Sequence, residues 1–369
     1  MNASRRRPSF LHVAVVLAAV AGLAACRGEP ESPVEQQAAA AAPPWVAPLA
    51  EAVDAIDAAM PGDFGAYVAR FGEAAGTLDR GDGRRWYLSS TIKVPVAIAV
   101  LEEVDAGRLS LDEELVLART DFVDGAGDLL QHDPGARFSI AQLLRKSLRD
   151  SDSTATDMLI RKVGEDHLNA RITDWVGDGF GPITTILQVR YDAYGALHPG
   201  VAKLDNMQLV ALRNAEAGEP RLRALADALG VPREDLRADS LQAVFDDYYR
   251  SGRNAATLPA FARLLERVAA GELLSPAGTG LLLDHMRGIS TGDRRIAAGL
   301  PDGTDFAQKT GTQQGRACNV GIIDAARGQE GATVVVACAE GFEDLAQAEQ
   351  AFRSLGRALG AMPGSGGAS

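Results

Sequence analysis

The sequence predicts an α/β (α+β) fold in which both ends of the chain build one lobe and the middle of the chain is mainly helical. Four apolar residues recur at helical spacing near the start of the globular part: Leu49, Val53, Ile56 and Met60. Residues 63–71 and 84–87 then have strand character. Residues 320–323 and 333–337 are two further strand candidates, joined by a polar turn. A terminal helix follows, with one apolar face: Leu345, Ala348, Phe352, Leu355 and Leu359.

The composition fits a globular protein with a sizeable core. The chain has 369 residues, 46% of them hydrophobic, which suffices for one large lobe or two modest ones. Its formal net charge of −12 gives no support for nucleic-acid binding. Four histidines lie far apart and lack metal-ligand spacing: His132, His167, His198 and His285. We therefore expect neither a metal site nor a cofactor.

Residues 1–25 are predicted to be a targeting segment that takes no part in the fold. Three arginines at positions 5–7 give a positive start, and the apolar stretch that follows is too short for a comfortable transmembrane helix. Residues 23–26, Leu-Ala-Ala-Cys, resemble the lipobox of bacterial lipoproteins. The resemblance implies that Cys26 is lipidated and anchors an exported protein in the cell envelope, facing the periplasm. The alternative is a plain secretory leader with an incidental cysteine.

The rest of the chain divides by composition. Residues 26–44 combine Glu, Pro and Gln with a run of alanines, which predicts a flexible linker. The globular domain occupies residues 45–360, with a helical lobe at about residues 90–285. The Gly- and Ser-rich residues 361–369 are predicted to be a disordered tail.

Three short motifs occur in one order along the globular part. The first is Ser90-Thr91-Ile92-Lys93, directly before an apolar helix candidate. Its spacing places a hydroxyl and an amine one turn apart on the same helix face, so Lys93 can take the proton that makes Ser90 a nucleophile. Residues 151–153 (Ser-Asp-Ser) then offer a second hydroxyl, and residues 309–311 (Lys-Thr-Gly) a second cation and a strand edge.

In order, separation and context, these motifs resemble those of the penicillin-recognising serine hydrolases, and most of all those of class A β-lactamases. Residues 151–155 nearly repeat that family's S-D-N-T-A, and the resemblance covers roughly residues 45–360. It implies an antiparallel sheet flanked by the N- and C-terminal helices, with the helical lobe inserted between its second and third strands. Residues 214–254 exceed what a compact class A enzyme needs and are expected to be a helical insertion.

The resemblance also implies a role for each motif residue. Ser90 is the nucleophile that opens a cyclic amide, and Lys93 accepts its proton. Ser151 passes a proton to the leaving nitrogen, while Lys309 holds Ser151 and presents positive charge to the substrate carboxylate. The backbone N–H groups of Ser90 and Thr312 hold the oxyanion. Other substrate contacts fall on residues in or beside the motifs: Ser153, Thr310, Gly311, Thr312 and Arg316.

Two of these contact residues differ from the family pattern. Ser153 stands where the family has Asn, and its side chain is shorter with a single donor. Arg316 is a candidate for the arginine that class A enzymes aim at the substrate carboxylate. The alternative is that Arg316 is a solvated arginine in a turn.

The base for deacylation is the largest departure from class A. That family uses the Glu of an E-x-x-L-N motif to activate the hydrolytic water. The literal match at residues 165–169 comes too soon after Ser151 and is predicted to begin the next helix. The region where the motif is expected, residues 183–195, has Asp192 as its sole carboxylate, so Asp192 is the candidate base. An exposed loop aspartate is the other explanation.

We therefore predict a serine β-lactamase that forms an acyl-enzyme on Ser90, with a monomeric state expected by family analogy. One alternative is a D-alanyl-D-alanine peptidase that acts on peptidoglycan stem peptides. Another is a lipoprotein that binds a β-lactam or muropeptide without turnover. A fast or slow release of the acyl group separates these functions.

Two more cysteines, Cys318 and Cys338, lie in consecutive strand candidates. A hairpin that turns near residues 327–328 would bring them opposite each other, and an exported protein permits a disulfide there. A bridge and a pair of buried thiols both remain open from the sequence.

Overall fold

The structure is a computed structural model that describes residues 42–237 and 240–362. The predicted signal peptide at 1–25, Cys26, and most of the predicted linker and tail lie outside the described residues. Within the described ranges, no helix is both long enough and apolar enough to cross a membrane.

The described residues form twelve α-helices and nine β-strands. The helices are α1 (Val46–Ala59), α2 (Lys93–Asp105), α3 (Ile140–Arg149), α4 (Ser153–Val163), α5 (Glu165–Val176), α6 (Ile186–Leu197), α7 (Asn206–Ala211), α8 (Glu219–Leu229), α9 (Leu241–Arg250), α10 (Leu258–Ala269), α11 (Pro276–Arg287) and α12 (Leu345–Gly360). The strands are β1 (Asp63–Arg70), β2 (Gly76–Arg80), β3 (Arg85–Tyr87), β4 (Glu114–Val116), β5 (Arg137–Ser139), β6 (Ala255–Thr257), β7 (Phe306–Gln313), β8 (Arg316–Ile323) and β9 (Thr333–Glu340).

Five strands make one antiparallel sheet in the order β2-β1-β9-β8-β7, which confirms the predicted fold class. The mainly helical segment from α2 to α11 lies between β2 and β7 in the chain. The strand predicted at residues 84–87 forms as β3, but it pairs with β6 in a separate ribbon. The second strand of the sheet is instead β2, which the sequence analysis missed because only Leu78 of its five residues is buried.

The two faces of the sheet pack against different helices. Helices α1 and α12 cover one face, where Trp45 and Leu49 are buried and the rings of Phe64 and Phe352 meet edge to face at 5.5 Å. The helical lobe covers the other face, and residues 93–101 of α2 are buried on every side. A helix that is apolar all round is central to a core. The start of α2 is therefore held rigidly where the lobe meets the sheet.

The insertion predicted at residues 214–254 contains α8 and α9. It shares an apolar cluster with α6 that is separate from the two main clusters, and the cluster reaches Tyr87 on β3. The ring of Tyr87 lies 4.5 Å from that of Tyr249. The insertion thus reaches the ribbon that leads into the first motif.

Strands β8 and β9 place Cys318 directly opposite Cys338, and the two sulfurs are bonded. Of the two possibilities that the sequence left open, the structure has the disulfide. Cys318 also pairs with Gly311 of β7, so the bridge lies one strand away from the third motif.

Candidate active site

Ser90 and Lys93 meet at the start of α2. Ser90 lies in a short 3-10 turn, Ser89–Ile92, that leads directly into the helix. The fully buried Nζ of Lys93 donates a hydrogen bond to the Oγ of Ser90 at 3.0 Å. The same nitrogen donates to the carbonyl oxygen of Ser151 at 2.6 Å and to its Oγ at 3.2 Å. The amine therefore links the two serines of the first and second motifs.

The backbone is strained at Ser89, directly before Ser90, and at Ser151 itself, and this strain fixes the orientation of the two catalytic serines. Ser89 has a φ of +50° and Ser151 a φ of +56°, a left-handed conformation that residues other than glycine rarely adopt. Such strain persists where the surrounding structure fixes the backbone, and it is often found at functional sites. Here the second motif is fixed by Asp152, whose carboxylate accepts the N–H groups of Leu129 and Ala155 at 2.9 and 2.8 Å.

Burial changes the acid–base properties of Lys93. Desolvation lowers its pKa to about 8, although the negative charges of Asp152 and Asp157 act to raise it. An amine with a pKa this close to neutrality is a competent proton acceptor for a serine hydroxyl.

Lys309 on β7 completes a chain of polar atoms. Its buried Nζ donates to the Oγ of Ser151 at 3.0 Å and to the carbonyl oxygen of Thr310 at 2.9 Å. Burial, followed by repulsion from Lys93 and Arg295, holds the pKa of Lys309 well below its usual range. Because two amines donate to the one hydroxyl of Ser151, its own hydrogen is free to point into the cleft.

Strand β7 approaches the nucleophile closely because residue 311 is glycine. A Cβ at Gly311 would lie 2.5 Å from the carbonyl oxygen of Leu88 and 2.8 Å from the backbone nitrogen of Ser90. No other residue type would allow this approach without movement of the backbone. Beside it, the hydroxyl of Thr310 hydrogen-bonds that of Thr291 at 2.6 Å.

Arg295 is a cleft cation that the sequence analysis missed. Its guanidinium is buried and donates to the carbonyl oxygens of Gly311 and Cys318 at 2.9 and 2.8 Å, and to the Oγ1 of Thr312 at 2.5 Å. Burial lowers its pKa to about 10. It lies in the stretch before β7 that begins Thr291-Gly292-Asp293, whose resemblance to class A could have drawn attention to it.

These groups converge on a cleft of about 500 Å³. Ser153 lines it, and Gly125 lies so close that a Cβ there would be 2.2 Å from the Oγ of Ser153. Residues from many parts of the fold line the cleft, among them Tyr87, Ser90, Ala126, Ser151, Ile186, Val189, Arg190, Asn254, Thr291, Arg295, Thr310, Thr312, Gln313 and Leu345.

Asp192 does not lie among the cleft residues, so the structure does not support it as the deacylation base. Its carboxylate pairs with Arg253 at 2.9 Å, accepts from Gln188 at 2.7 Å, and lines a different surface depression. Glu165 begins α5 as expected, where it accepts the N–H of Thr185 at 3.0 Å. Arg253, the ion-pair partner of Asp192, lies far along the chain, so the sequence around Asp192 does not reveal this pair.

Arg316 is likewise placed outside the cleft. Its guanidinium contacts Asp246 at 3.3 Å and Glu340 at 3.2 Å and stacks over Tyr249. It is neither a solvated turn arginine nor a cleft cation. Among the described residues, the buried cations at the third motif are Lys309, which belongs to it, and Arg295, which donates to the carbonyl oxygen of Gly311.

The cleft wall formed by α6 presents Ile186, Val189 and Arg190. Arg190 is buried and paired with Asp124 at 2.6 Å. The buried Asp157 of α4 accepts the N–H groups of Ile186 and Leu187 at 2.7 and 2.9 Å, which fixes the start of this wall. In the described part of the chain, the carboxylates that line the cleft are Asp293 and Glu349, which come from other segments than α6.

In the described residues, no group of three or more His, Cys, Asp or Glu side chains is placed to hold a metal ion. The site is built from hydroxyls, amines and a guanidinium. This set suits nucleophilic catalysis by serine with lysine as the proton acceptor.

Comparison with known proteins agrees with this chemistry. The family model described as "Beta-lactamase enzyme family" matches residues 48–361. A β-lactamase of Mycobacterium tuberculosis is 26% identical over 260 residues, which covers 70% of this chain and 67% of the relative.

Two solved structures show the same fold. A mutant of PBP-A, in an acyl-enzyme complex with penicillin G, has a TM-score of 0.61 at 21% identity and covers 85% of this chain and 94% of its own. A β-lactamase from Sphaerobacter thermophilus has a TM-score of 0.60 at 24% identity, covering 84% and 95%. The chain belongs to the beta-lactamase enzyme family, which confirms the family, the fold and the serine β-lactamase function that its sequence predicted.

Proposed function

We propose that the protein hydrolyses β-lactams by the two-step route of class A-like serine enzymes, with the acyl group carried on Ser90. The observation that carries the proposal is the chain of contacts from Ser90 Oγ to Lys93 Nζ, Ser151 Oγ and Lys309 Nζ, with steps of 3.0, 3.2 and 3.0 Å. Each step is short enough for a proton to pass.

In acylation, the neutral amine of Lys93 takes the hydroxyl proton as the Oγ of Ser90 attacks the lactam carbonyl carbon. The backbone N–H groups of Ser90 and Thr312 hold the oxyanion. As the carbon–nitrogen bond breaks, Ser151 gives its proton to the ring nitrogen. Ser151 is then reprotonated by Lys93, which gives up the proton that it took from Ser90.

The substrate carboxylate lies near the third motif. The buried Lys309 holds Ser151 beside this motif, and the hydroxyls of Thr310 and Thr312 line the cleft as donors. Arg295 takes the place that the sequence analysis gave to Arg316, because its guanidinium contacts Thr312 directly. A carboxylate is bound best where several charged and polar donors converge.

Deacylation proceeds here without a carboxylate on the α6 wall. Ile186 and Val189 present apolar side chains to the cleft, and the guanidinium of Arg190 is paired with Asp124. We assign activation of the hydrolytic water to Lys93, which returns to its neutral form once the ring nitrogen has been protonated. A base shared between two steps predicts slower release of product than in enzymes with a dedicated glutamate.

The family match does not favour the two alternatives, a D-alanyl-D-alanine peptidase and a binding lipoprotein without turnover. A direct test is hydrolysis of a chromogenic cephalosporin by the full chain and by Ser90→Ala. We expect hydrolysis by the wild type and none above background by the variant. Hydrolysis retained in the variant would remove Ser90 from the mechanism.

The predicted lipid anchor and envelope location are also part of the proposal. Residues 23–26 resemble a lipobox, and the Cys318–Cys338 disulfide suits an exported protein. In an expressing bacterium, Cys26→Ala should move the protein from the membrane fraction to the soluble fraction. Continued membrane association of the variant would contradict the anchor, and light scattering of the released protein would test the expected monomer.

A further inference from the structure

A second cavity of about 990 Å³ lies beside the catalytic cleft and takes no part in the mechanism above. The insertion builds one side of it through α9 and the loop that follows, and β3 and the ends of β7 and β9 build the rest. Its polar and aromatic lining includes Arg84, Arg85, Gln242, Asp246, Tyr249, Arg250, Gln314, Arg316, Glu340 and Glu343.

Three segments of the chain run from this cavity into the cleft. On β3, Arg85 lines the cavity and Tyr87 lines both spaces. Side chains two residues apart lie on the same face of a strand, about 7 Å from each other. At the end of β7, the cavity residue Gln314 directly follows the cleft residue Gln313. The two spaces are therefore close enough for one extended ligand to occupy both.

The third segment leads into α12. Glu343 lines the second cavity, and Leu345, two residues later, lines the cleft. Thr310, Thr312 and Gln313 line the cleft in this order along β7, and Gln314 lines the second cavity. A substrate that extends along β7 from its carboxylate toward Gln313 therefore reaches the second cavity.

Most charges in the second cavity are already paired. Arg84 contacts Asp63 at 2.9 Å and Glu340 at 2.7 Å. Arg316 contacts Asp246 and Glu340, and Arg250 pairs with its neighbour Asp247. These arginines are therefore already held by carboxylates of the protein and are not free to bind the charge of a ligand.

Two lining charges are left over. Arg85 and Glu343 are both exposed, and neither has an ion-pair partner among the described residues. They stand on separate wall segments, β3 and the approach to α12. A ligand end with one carboxylate and one ammonium group matches this arrangement, because each of its charges meets an unpaired opposite charge.

We propose that the second cavity binds the far end of an extended acyl donor, an end that carries both an ammonium and a carboxylate group. The carboxylate contacts Arg85 and the ammonium contacts Glu343 while the reacting amide lies at Ser90. The inference rests on the proposed function, in that it places the reacting bond in the cleft. A zwitterionic peptide end is the chemical class that fits.

Binding to protein that cannot be acylated tests this inference. The full chain with Ser90→Ala is titrated calorimetrically with cephalosporin C, whose side chain ends in an ammonium and a carboxylate, and with cephalothin, whose side chain is uncharged. We expect cephalosporin C to bind about tenfold more tightly. Adding Arg85→Ala and Glu343→Gln should abolish that preference and leave the cephalothin Kd unchanged.

A matched control is Arg253→Ala, which removes an exposed arginine of the same region that pairs with Asp192 outside the second cavity. It should keep the preference for cephalosporin C. Equal binding of the two compounds, or a preference that survives the loss of Arg85 and Glu343, would overturn the inference. The wild-type protein tests the proposed function separately, since failure of both compounds to acylate Ser90 would refute that function whatever the Kd values are.

Discussion

Gly311 packs so closely on Ser90 that a Cβ at position 311 would lie 2.8 Å from the backbone nitrogen of the serine. That nitrogen is one of the two proposed oxyanion donors, and the other, on Thr312, is the next residue along β7. The short distance between β7 and the nucleophile therefore depends on the absence of a side chain at residue 311.

The first prediction concerns this contact. Gly311→Ala should push β7 away from Ser90, lower kcat/KM by at least about tenfold because the donors are misplaced, and destabilise the fold by about 1–3 kcal/mol through overpacking. Steady-state kinetics and denaturant unfolding measure the two effects. The control is Gly195→Ala in α6, where a Cβ meets no atom within 4 Å. Unchanged kinetics for Gly311→Ala would contradict the oxyanion assignment.

The second prediction concerns pH. Lys93 must be neutral to accept a proton, and its pKa of about 8 means that this form becomes more abundant as the pH rises toward 8. Acylation should therefore accelerate by up to about tenfold per pH unit below that value. Because Lys93 and Lys309 share Ser151, the observed midpoint belongs to the pair.

The pH profile of kcat/KM is the measurement. Lys93→Arg is the matched variant, since a guanidinium keeps its proton at all accessible pH values and should leave the enzyme inactive throughout. A profile that is flat or falling between about pH 6 and pH 8 would show that Lys93 is not the proton acceptor.

The third prediction concerns Asp192. Because its carboxylate is held by Arg253 and Gln188 outside the cleft, Asp192→Asn should change kcat and kcat/KM by no more than about twofold, as for an ordinary surface substitution. Single-turnover measurement of deacylation gives the sharpest test. Accumulation of acyl-enzyme in Asp192→Asn but not in the wild type would restore Asp192 as the base.

The fourth prediction concerns the disulfide. The Cys318–Cys338 bridge closes a loop with a sequence separation of 20, and removing it should cost about 3 kcal/mol of unfolding free energy. The double variant Cys318→Ala with Cys338→Ala should therefore unfold at lower denaturant concentration and keep its hydrolytic activity. Addition of a reductant should lower the free energy of unfolding of the wild type and leave that of the double variant unchanged. Equal free energies of unfolding for the two proteins without reductant would contradict the bridge.

Part of the catalytic chain could be predicted from the sequence because its spacing is local. Ser90 and Lys93 are one turn apart, so any helix starting there brings them together. The β8–β9 hairpin places Cys318 and Cys338 in register for the same reason. The motif order then indicated which family fold would bring Ser151 and Lys309 to them.

The remaining site features depend on contacts between distant segments. Asp192 is paired with Arg253, and Arg316 with Asp246 and Glu340, and no local pattern reveals such partners. Arg295 was missed because its role follows from burial behind β7. The second cavity likewise depends on how the insertion packs against β3.

The most direct test of the account is a time course of the intact mass of the full chain mixed with penicillin G. We predict a gain of one penicillin on Ser90, absent in Ser90→Ala, followed by decay to the free protein with release of hydrolysed penicillin. Slow decay fits deacylation by Lys93. An adduct that never decays would contradict the β-lactamase function, and the absence of any adduct would show that the contacts among Ser90, Lys93, Ser151 and Lys309 do not make a nucleophile for β-lactams.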